Sequence, residues 1–525
     1  MIAKSGSGFD IILVSGEYYD DHPLSPVGII TRVLDAKGYR VGVIEKPVTP
    51  QDFTKLGAPR LCFAVTSGSI DSMLNNYTPM KHRRSEDSYA KPSAMPDRAV
   101  IVYCQKLKAA YKETPLVIGG IEASLRRFAH YDYWENRIRR SILFDSRATI
   151  LVYGNGEKQI VEIARRLSTK QSLLGIEGTC IVNKTLEGGF EVMPSFDEVD
   201  KNPVKFCEMQ RMFSNDRNLA QPYTNNYVLQ YHAPRYMTKD LDEIYSLPFT
   251  RMMHPKSLLK MAQFSVVTHR GCIGRCNFCS LSLHQGDRIV SRSEDNILQE
   301  IRRLTKHPQF KGYIDDLGGP SANMYGMDCP SASTCQKTCL TCKTLDCSHG
   351  KLLSLLRKAR QIPGVKKIFV RSGIRYDLAL RSPQYITELS QYHISGCLKI
   401  APEHLSPQVL KLMNKEAKGF DEFIHVFSER NPSKKQALRY YFMVGHPGDT
   451  EKETTFLKGQ IQKKKLSNLD QFQLFTPTPM TPSTCMYWTK RNPFTMEPVQ
   501  VVCDYKTKKQ LKRILLETEK SPRTR

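Results

Sequence analysis

The chain contains the stretch Phe264-Ser-Val-Val-Thr-His-Arg-Gly-Cys-Ile-Gly-Arg-Cys-Asn-Phe-Cys279, which decides how its second half is organised. The β-branched start predicts a strand, and this strand runs directly into cysteines at C-x3-C-x2-C spacing. Three thiolates on one loop can hold three irons of a [4Fe–4S] cluster and leave the fourth iron open to a ligand. Zinc is the competing metal, although it normally takes four nitrogen or sulfur ligands. Three reduced cysteines without a metal are the least favoured alternative, because such close spacing usually indicates metal or redox chemistry.

The length and charge of the chain limit the possible partners. Its 525 residues predict roughly two to four domains with a large buried core. The 77 basic residues outnumber the 52 acidic ones, which gives a formal net charge of +25. This excess predicts a polyanionic partner such as RNA, or an anionic substrate. A solvated basic surface without such a partner explains the charge equally well.

The distribution of cysteines indicates the compartment. Eight of the 15 cysteines lie between Cys272 and Cys347, and this clustering favours a reducing cytoplasm over an oxidising compartment. The first residues, MIAKSGSGFD, lack the charged and apolar regions of a signal peptide. No run of about 18 apolar residues occurs, so we expect no membrane association and a cytoplasmic location.

Residues 1–170 alternate strand-like and helix-like segments, such as the apolar run Ile11–Ser15 followed by the helical spacing of Val27–Ala36. This alternation predicts a doubly wound, flavodoxin-like parallel sheet with helices on both faces. Glycine-rich turns follow several of the strands, at Gly119–Gly120 and Gly154–Gly156 among others. We interpret them as ordinary turns between strand and helix rather than as a cofactor site.

Residues 171–255 break the alternation and are predicted to form a connector subdomain. Within it, Gly178–Val182 and Gly189–Met193 have the pattern of a β-hairpin. The strand–helix rhythm returns over residues 256–485, where about six units predict a (β/α)6 partial TIM barrel. A cysteine-rich loop, 328–350, interrupts this barrel, and residues 486–525 form a basic C-terminal tail.

Four segments resemble a known superfamily. They are the cysteine stretch His269–Ser280 and the segments Asp315–Tyr325, Arg371–Asp377 and Lys399–His404. Together they resemble the radical S-adenosylmethionine (SAM) enzymes and, within them, the YgiQ-like branch. The resemblance implies that an electron donor of the flavodoxin or ferredoxin type reduces a [4Fe–4S] cluster. SAM would bind the unique iron and be cleaved to a 5′-deoxyadenosyl radical, which abstracts hydrogen from a substrate.

The resemblance also implies roles for individual residues. Cys272, Cys276 and Cys279 would ligate the cluster. The family's glycine-rich motif corresponds to Gly318–Gly319, although Pro320 replaces the glutamate that usually follows. The other residues that the resemblance places near SAM are Phe278, Arg371, Ser372, Glu403 and the segment Val444–Gly448.

The N-terminal domain is similar to the cobalamin-binding domains that precede many radical SAM barrels. The segment Asp20-Asp-His22-Pro-Leu-Ser25 is similar to a D-x-H-x-x-G signature, but Ser25 replaces the glycine. We therefore expect a domain that has kept the fold without cobalamin. The alternative, a cobalamin-dependent radical SAM methyltransferase, requires His22 or an equivalent residue to bind cobalt.

A second set of cysteines lies in the inserted loop. Its members are Cys329, Cys335, Cys339, Cys342 and Cys347, with His349 nearby. The spacing of Cys335, Cys339 and Cys342 repeats that of the first set. Five thiols on one loop would be prone to oxidation, so a second iron–sulfur cluster or a structural zinc is favoured over no metal.

These observations predict a cytoplasmic radical SAM enzyme with an unidentified substrate, for which RNA or a ribosomal component is suggested by the charge. The non-enzymatic alternative is a zinc or iron–sulfur RNA-binding protein without SAM turnover.

Overall fold

A computed structural model describes residues 2–84, 95–186, 188–329, 335, 339–415, 418–431 and 436–516. The predicted cysteine-rich loop and basic tail thus lie partly outside the described residues. Within the described residues, no helix is long and apolar enough to cross a membrane.

The N-terminal half is built on one large sheet. The strands of this half, in chain order, are β1 Ile2–Ala3, β2 Ile11–Ser15, β3 Val41–Glu45, β4 Cys62–Thr66, β5 Leu116–Ile118, β6 His130–Asp132, β7 Arg137–Arg139, β8 Ile150–Val152, β9 Thr179–Asn183, β10 Glu191–Val192, β11 Leu219–Tyr223 and β12 Asn226–Gln230. Strands β6 and β7 form a separate antiparallel pair, and the other ten form the large sheet. Neighbours in the sheet follow the order β1-β3-β2-β4-β5-β8-β9-β12-β11-β10. The parallel core β3-β2-β4-β5-β8 has the strand order of a flavodoxin-like fold. The predicted α/β class is confirmed.

Helices cover both faces of this sheet. They are α1 Pro26–Ala36, α2 Pro50–Thr54, α3 Ser72–Asn76, α4 Ala99–Ala110, α5 Gly120–Ser124, α6 Ile142–Ser146, α7 Glu157–Ser168, α8 Phe196–Lys201, α9 Pro203–Met212 and α10 Thr238–Tyr245. Successive residues of a strand point to opposite faces. Ile11 and Leu13 therefore pack with α1 and α7, while Ile12 and Val14 pack with α4.

The predicted hairpin between residues 178 and 193 is wrong. Strand β9 pairs antiparallel with β8 and β12, whereas β10 pairs parallel with β11 at the sheet edge. The hairpin of this region is β11–β12, in which Tyr223 faces Asn226 across a two-residue turn. A turn this short fixes the register more tightly than the longer loop that we predicted as the turn.

The second half consists of short parallel strands with helices outside and of one antiparallel strand pair. Its strands are β13 Val266–Val267, β14 His269–Arg270, β15 Val290–Ser291, β16 Tyr313–Ile314, β17 Leu317–Gly318, β18 Lys367–Ile368, β19 Cys397–Glu403, β20 Ala437–Val444 and β21 Leu469–Leu474. Its helices are α11 Leu281–Gln285, α12 Glu294–Leu304, α13 Gly350–Arg360, α14 Tyr376–Ala379, α15 Pro383–Glu388, α16 Pro407–Leu412, α17 Phe420–Glu429, α18 Glu451–Lys463, α19 Pro482–Thr489 and α20 Tyr505–Leu516.

The parallel pairings of this half follow the order of the chain. Strand β13 pairs with β17, β16 pairs with β18, and β19, β20 and β21 pair in sequence. A bridge between Ile374 and Ile400 joins the third strand position to the fourth. Six strand positions in sequential order make the predicted partial barrel, whose mouth lies at the carboxyl ends of the strands.

A buried histidine makes the stability of the N-terminal half depend on pH. His130 is 2% exposed, its Nδ1–H donates to the Phe128 carbonyl, and burial lowers its pKa to about 4. The unfolded chain, with a histidine pKa near 6.5, therefore binds more protons between pH 6.5 and 4. This site alone should lower the free energy of unfolding by up to about 1.4 kcal/mol per pH unit as the pH falls through this range.

Urea unfolding at pH 7 and pH 5 measures this decline. We expect a smaller decline in His130→Gln than in the wild type. We expect the decline in His425→Gln to equal that of the wild type, because the His425 side chain is 74% exposed. Equal declines in the wild type and His130→Gln would contradict the claim that His130 makes the stability depend on pH.

Candidate functional site

The cysteine loop leaves the barrel at β14 and returns at β15. His269 faces Ser291 and Arg270 faces Val290 in this antiparallel pair, which closes the neck of the loop. Gly271, at the neck, has a φ of 85°, and a Cβ there would overlap the Arg288 carbonyl. Glycine is therefore required where the two sides of the neck approach each other.

The three predicted cluster ligands, Cys272, Cys276 and Cys279, lie together on this loop and are each partly buried. A Cβ on Gly274 would lie 3.4 Å from Cys272 Sγ and 3.7 Å from Cys276 Sγ. The absence of a side chain at Gly274 thus keeps the space beside two thiols open. Burial raises the pKa of Cys272 and raises that of Cys279 to about 12, so these two thiols lose their protons readily only to a bound metal.

Three cysteine thiols are the donor set expected of a [4Fe–4S] cluster with one open iron, whereas a structural zinc takes four ligands. Among the described residues, no three His, Cys, Asp or Glu side chains converge on one metal-ion position. A tetrahedral zinc site needs such convergence, with ligands about 2.3 Å from the metal. A [4Fe–4S] cluster holds each cysteine on a different iron and so accepts a more open set of thiols.

Two cations that were not predicted lie beside the thiols. Arg375 Nη1 is 3.0 Å from the position that a Cβ on Gly274 would take, and its guanidinium is held by Asp377 at 2.6 and 3.0 Å. Lys415 Nζ is 3.2 Å from Glu403 Oε1. Their positive charges favour an anionic group at the loop. Arg375 lies within a segment that carries the family resemblance, but spacing alone does not reveal its contact.

The predicted glycine motif lies at the carboxyl end of β17, close to the neck of the cysteine loop. A Cβ on Gly319 would lie 2.6 Å from Cε1 of His269, whose side chain is fully buried. A Cβ on Gly318 would overlap the hydroxyl of Ser372. Three predicted residues, Gly318, Gly319 and Ser372, therefore lie close together. His269, which was not predicted as a site residue, packs against Gly319.

A cavity of about 530 Å³ lies between the mouth of the barrel and the carboxyl edge of the N-terminal sheet. From the barrel it is lined by His269, Arg270, Asp316, Gly318, Gly319 and Ser372, and from the sheet by the turns at Gly68, Gly119–Gly120 and Gly154–Gly156. The turns that we interpreted as ordinary connections therefore form one wall of the cavity. Its volume falls within the range of about 300–1,000 Å³ typical of pockets for organic ligands.

Polar contacts join the cysteine loop to the N-terminal sheet. Arg270 Nη1 lies 2.7 Å from Glu157 Oε1, and both side chains are less than a tenth exposed. Burial alone would lower the pKa of Arg270, but the Glu157 carboxylate and the Tyr245 and Tyr236 side chains together outweigh burial and raise it. In α11, directly after the cysteines, His284 Nδ1 lies 3.1 Å from Ser124 Oγ. The Leu283 carbonyl of the same helix accepts a hydrogen bond from Asn215 Nδ2 at 3.0 Å.

Asp316 adds a partly buried acid to the cavity wall. It accepts hydrogen bonds from the backbone N–H groups of Arg371 and Ser372 at 2.7 and 3.2 Å. Burial is the largest influence on this carboxyl and raises its pKa. Asp316 was part of the resembling segment 315–325, but it was not predicted as a site residue.

Other predicted residues lie elsewhere. Arg371 is exposed and pairs with Asp315 at 3.6 Å. Phe278 packs edge-on against His446, whose Nε2 lies 2.6 Å from Ser483 Oγ. None of these residues, nor Glu403, is among the described residues that line the cavity.

The Asp20–Ser25 segment makes structural contacts. Asp21 pairs with Arg32 and accepts a hydrogen bond from Thr250, while His22 Nδ1 accepts one from the backbone of Leu24 at 3.2 Å. Burial lowers the pKa of His22 to about 4. His22 is not among the described residues that line the cavity.

Comparisons with known proteins agree with this architecture. The Radical SAM N-terminal family matches residues 1–268, the Radical SAM superfamily matches residues 266–458, and a domain of unknown function, DUF3362, matches residues 470–521. The chain is similar in fold to a structure of the radical S-adenosylmethionine methyltransferase TsrM from Kitasatospora setae with cobalamin and a [4Fe–4S] cluster bound. The TM-score is 0.56 at 14% identity, over 92% of this chain and 79% of that one.

Relatives in sequence extend over nearly the whole chain. A UPF0313 protein of Methanocella arvoryzae is 43% identical over 527 residues, covering 94% of this chain and 87% of the relative. A UPF0313 protein of Methanocaldococcus jannaschii is 44% identical over 543 residues, covering 97% of this chain and 90% of the relative. With these relatives and the match over residues 1–268, the chain belongs to the UPF0313 family of the radical SAM superfamily.

Proposed function

We propose that the enzyme cleaves SAM at a [4Fe–4S] cluster held by Cys272, Cys276 and Cys279, and that it acts on a substrate bound in the adjoining cavity. The observation that carries the proposal is the position of the cysteine loop. Its neck at Arg270 and the helix that follows it, α11, both contribute walls of the 530 Å³ cavity. A radical formed at the loop would therefore arise next to the cavity between the barrel and the N-terminal sheet.

When bound, the reduced cluster would supply the electron for cleavage of the carbon–sulfur bond of SAM. The chain holds and orients SAM. The backbone at Gly318–Gly319 would meet the methionyl amine, as the family resemblance implies, and the partly buried carboxyl of Asp316 lies in the same wall. Ser372 borders this part of the cavity, and Arg375 and Lys415 balance the negative charge of the thiolates. Contacts of SAM with Phe278, Arg371 and Glu403 stay predictions.

Cobalamin chemistry is the second candidate, and the position of the cavity favours it. Doubly wound sheets bind ligands at the carboxyl edge of their strands, and the TsrM structure of similar fold has cobalamin bound. His22, the residue that this alternative would need as a cobalt ligand, is not among the described residues that line the cavity, although its neighbours Pro23 and Leu24 are. The expectation that the chain works without cobalamin stays a prediction, and the cobalt content of the purified protein decides it.

The cluster assignment is tested by removing all three ligands. In the triple variant Cys272→Ala, Cys276→Ala, Cys279→Ala, we expect a loss of about four irons per chain relative to the wild type. We also expect the loss of 5′-deoxyadenosine formation after reduction with dithionite in the presence of SAM. Cys397→Ala is the matched control, because Cys397 is partly buried like the three ligands but begins β19 at the opposite end of the barrel. A triple variant that keeps both its iron and its product would contradict the proposal.

The glycine motif is tested at Gly319. A methyl group in Gly319→Ala would lie 2.6 Å from the buried His269 ring, so the turn must move away from the methionyl amine. We expect SAM affinity, measured by calorimetry on the reconstituted protein, to fall at least tenfold while the iron content stays unchanged. Gly459→Ala is the control, since a Cβ there meets nothing within 4 Å. Wild-type affinity in Gly319→Ala would exclude the contact.

An RNA or ribosome-linked substrate is proposed from the net charge of +25. Helix α20 presents the exposed side chains of Lys506, Lys509 and Lys512. Binding through about six phosphates would weaken by roughly a thousandfold between 50 and 200 mM salt. We expect filter binding of bulk cellular RNA to show this dependence, and the triple change of these lysines to glutamate to reduce its slope. Affinity that does not vary with salt would rule out phosphate-driven binding.

A further inference from the structure

Four cysteines of the inserted loop line one small pocket. They are Cys329, Cys335, Cys339 and Cys342, and the pocket they line has a volume of about 50 Å³. Pockets for organic ligands typically have about 300–1,000 Å³, so this pocket is too small for SAM or another organic cofactor. Four thiols around a space of this size are a donor set for an inorganic centre.

The fifth cysteine of the loop is placed differently. Cys347 is 7% exposed, and its Sγ accepts a hydrogen bond from Arg381 Nη1 at 3.4 Å. It is not among the described residues that line the pocket. The structure therefore separates four candidate ligands from one structural cysteine, a distinction that spacing alone does not make.

The pocket adjoins the first cysteine loop. Ile273 and Arg275, which lie between Cys272 and Cys276 in the chain, form part of its wall. Cys272, Cys339 and Cys342 pack against the same small apolar cluster. Arg275 and Arg288 supply positive charge at the pocket, and Asp287 pairs with Arg275 at 2.7 Å. Arg288 pairs with Asp216 at 3.0 Å, so each guanidinium at the pocket is already balanced by a carboxylate.

We propose that Cys329, Cys335, Cys339 and Cys342 bind a second [4Fe–4S] cluster, and that Cys347 does not ligate it. The spacing of Cys335, Cys339 and Cys342 repeats that of Cys272, Cys276 and Cys279, which favours the same type of cluster. As in the first set, the described thiols do not converge on one metal-ion position, which disfavours a single zinc. Cys329 supplies the fourth ligand, so this cluster has no iron open to SAM and can only exchange electrons.

The experiment uses the full chain with the first site removed, Cys272→Ala, Cys276→Ala, Cys279→Ala. After anaerobic reconstitution with iron and sulfide, we expect about four irons and four sulfides per chain, and an electron paramagnetic resonance signal after reduction. Adding Cys339→Ala and Cys342→Ala to this background should remove both. Adding Cys347→Ala instead should leave both unchanged. Circular dichroism of each variant establishes that it is folded.

Because the background variant lacks the cysteines of the first cluster, each result tests the second cluster alone. About two irons per chain, zinc in place of iron, or no metal in the folded background variant would overturn the second cluster. Loss of iron with Cys347→Ala would overturn the assignment of ligands. As a second variant, Cys342→Ser keeps a weaker ligand at the pocket rim, and the proposal requires it to shift the resonance signal without abolishing it. If the triple change removes no iron, the assignment of the first cluster to Cys272, Cys276 and Cys279 is contradicted. The second cluster is then still tested by the variants at Cys339 and Cys342.

Discussion

The buried ion pair between Arg270 and Glu157 joins the two halves of this enzyme beside the cysteine loop. Arg270 lies two residues before the first cysteine of the loop, and Glu157 begins α7 directly after the turn at Gly154–Gly156. Breaking a buried pair of this kind typically costs about 3–5 kcal/mol, because the remaining charge is left without a partner. The pair therefore fixes the cysteine loop against the carboxyl edge of the N-terminal sheet, and the cavity between them depends on it.

Close backbone contacts complete this arrangement. The mouth of the barrel is assembled from positions where a side chain would not fit, at Gly271 beside the Arg288 carbonyl and at Gly319 beside His269. Such contacts let a backbone approach a ligand closely, and they make the surrounding geometry rigid. The site is thus built from an irregular loop held between regular elements, as is common where binding and catalytic groups are concentrated.

The parts of the fold that follow from local pattern were predictable from sequence. Alternating apolar segments indicated both parallel sheets, and the cysteine spacing and glycine pair indicated the candidate site before any contact was known. The pairing of β9 with β12 was not predictable, because it joins strands separated by more than 40 residues. Arg375, Lys415 and the Arg270–Glu157 pair escaped prediction for the same reason. Each lies beside a residue that is distant in the chain, as Arg375 does beside Gly274, and residue spacing does not predict such a contact.

The central claim is that SAM binds directly at the cluster on the cysteine loop. Electron paramagnetic resonance of the reduced, reconstituted enzyme, recorded with and without SAM, tests this claim most directly. In a variant that lacks Cys339 and Cys342, only the cluster of the first loop contributes to the spectrum. SAM should then change the g-values of the signal, because its amino and carboxylate groups would coordinate the open iron. A spectrum that is the same with and without saturating SAM would contradict the claim.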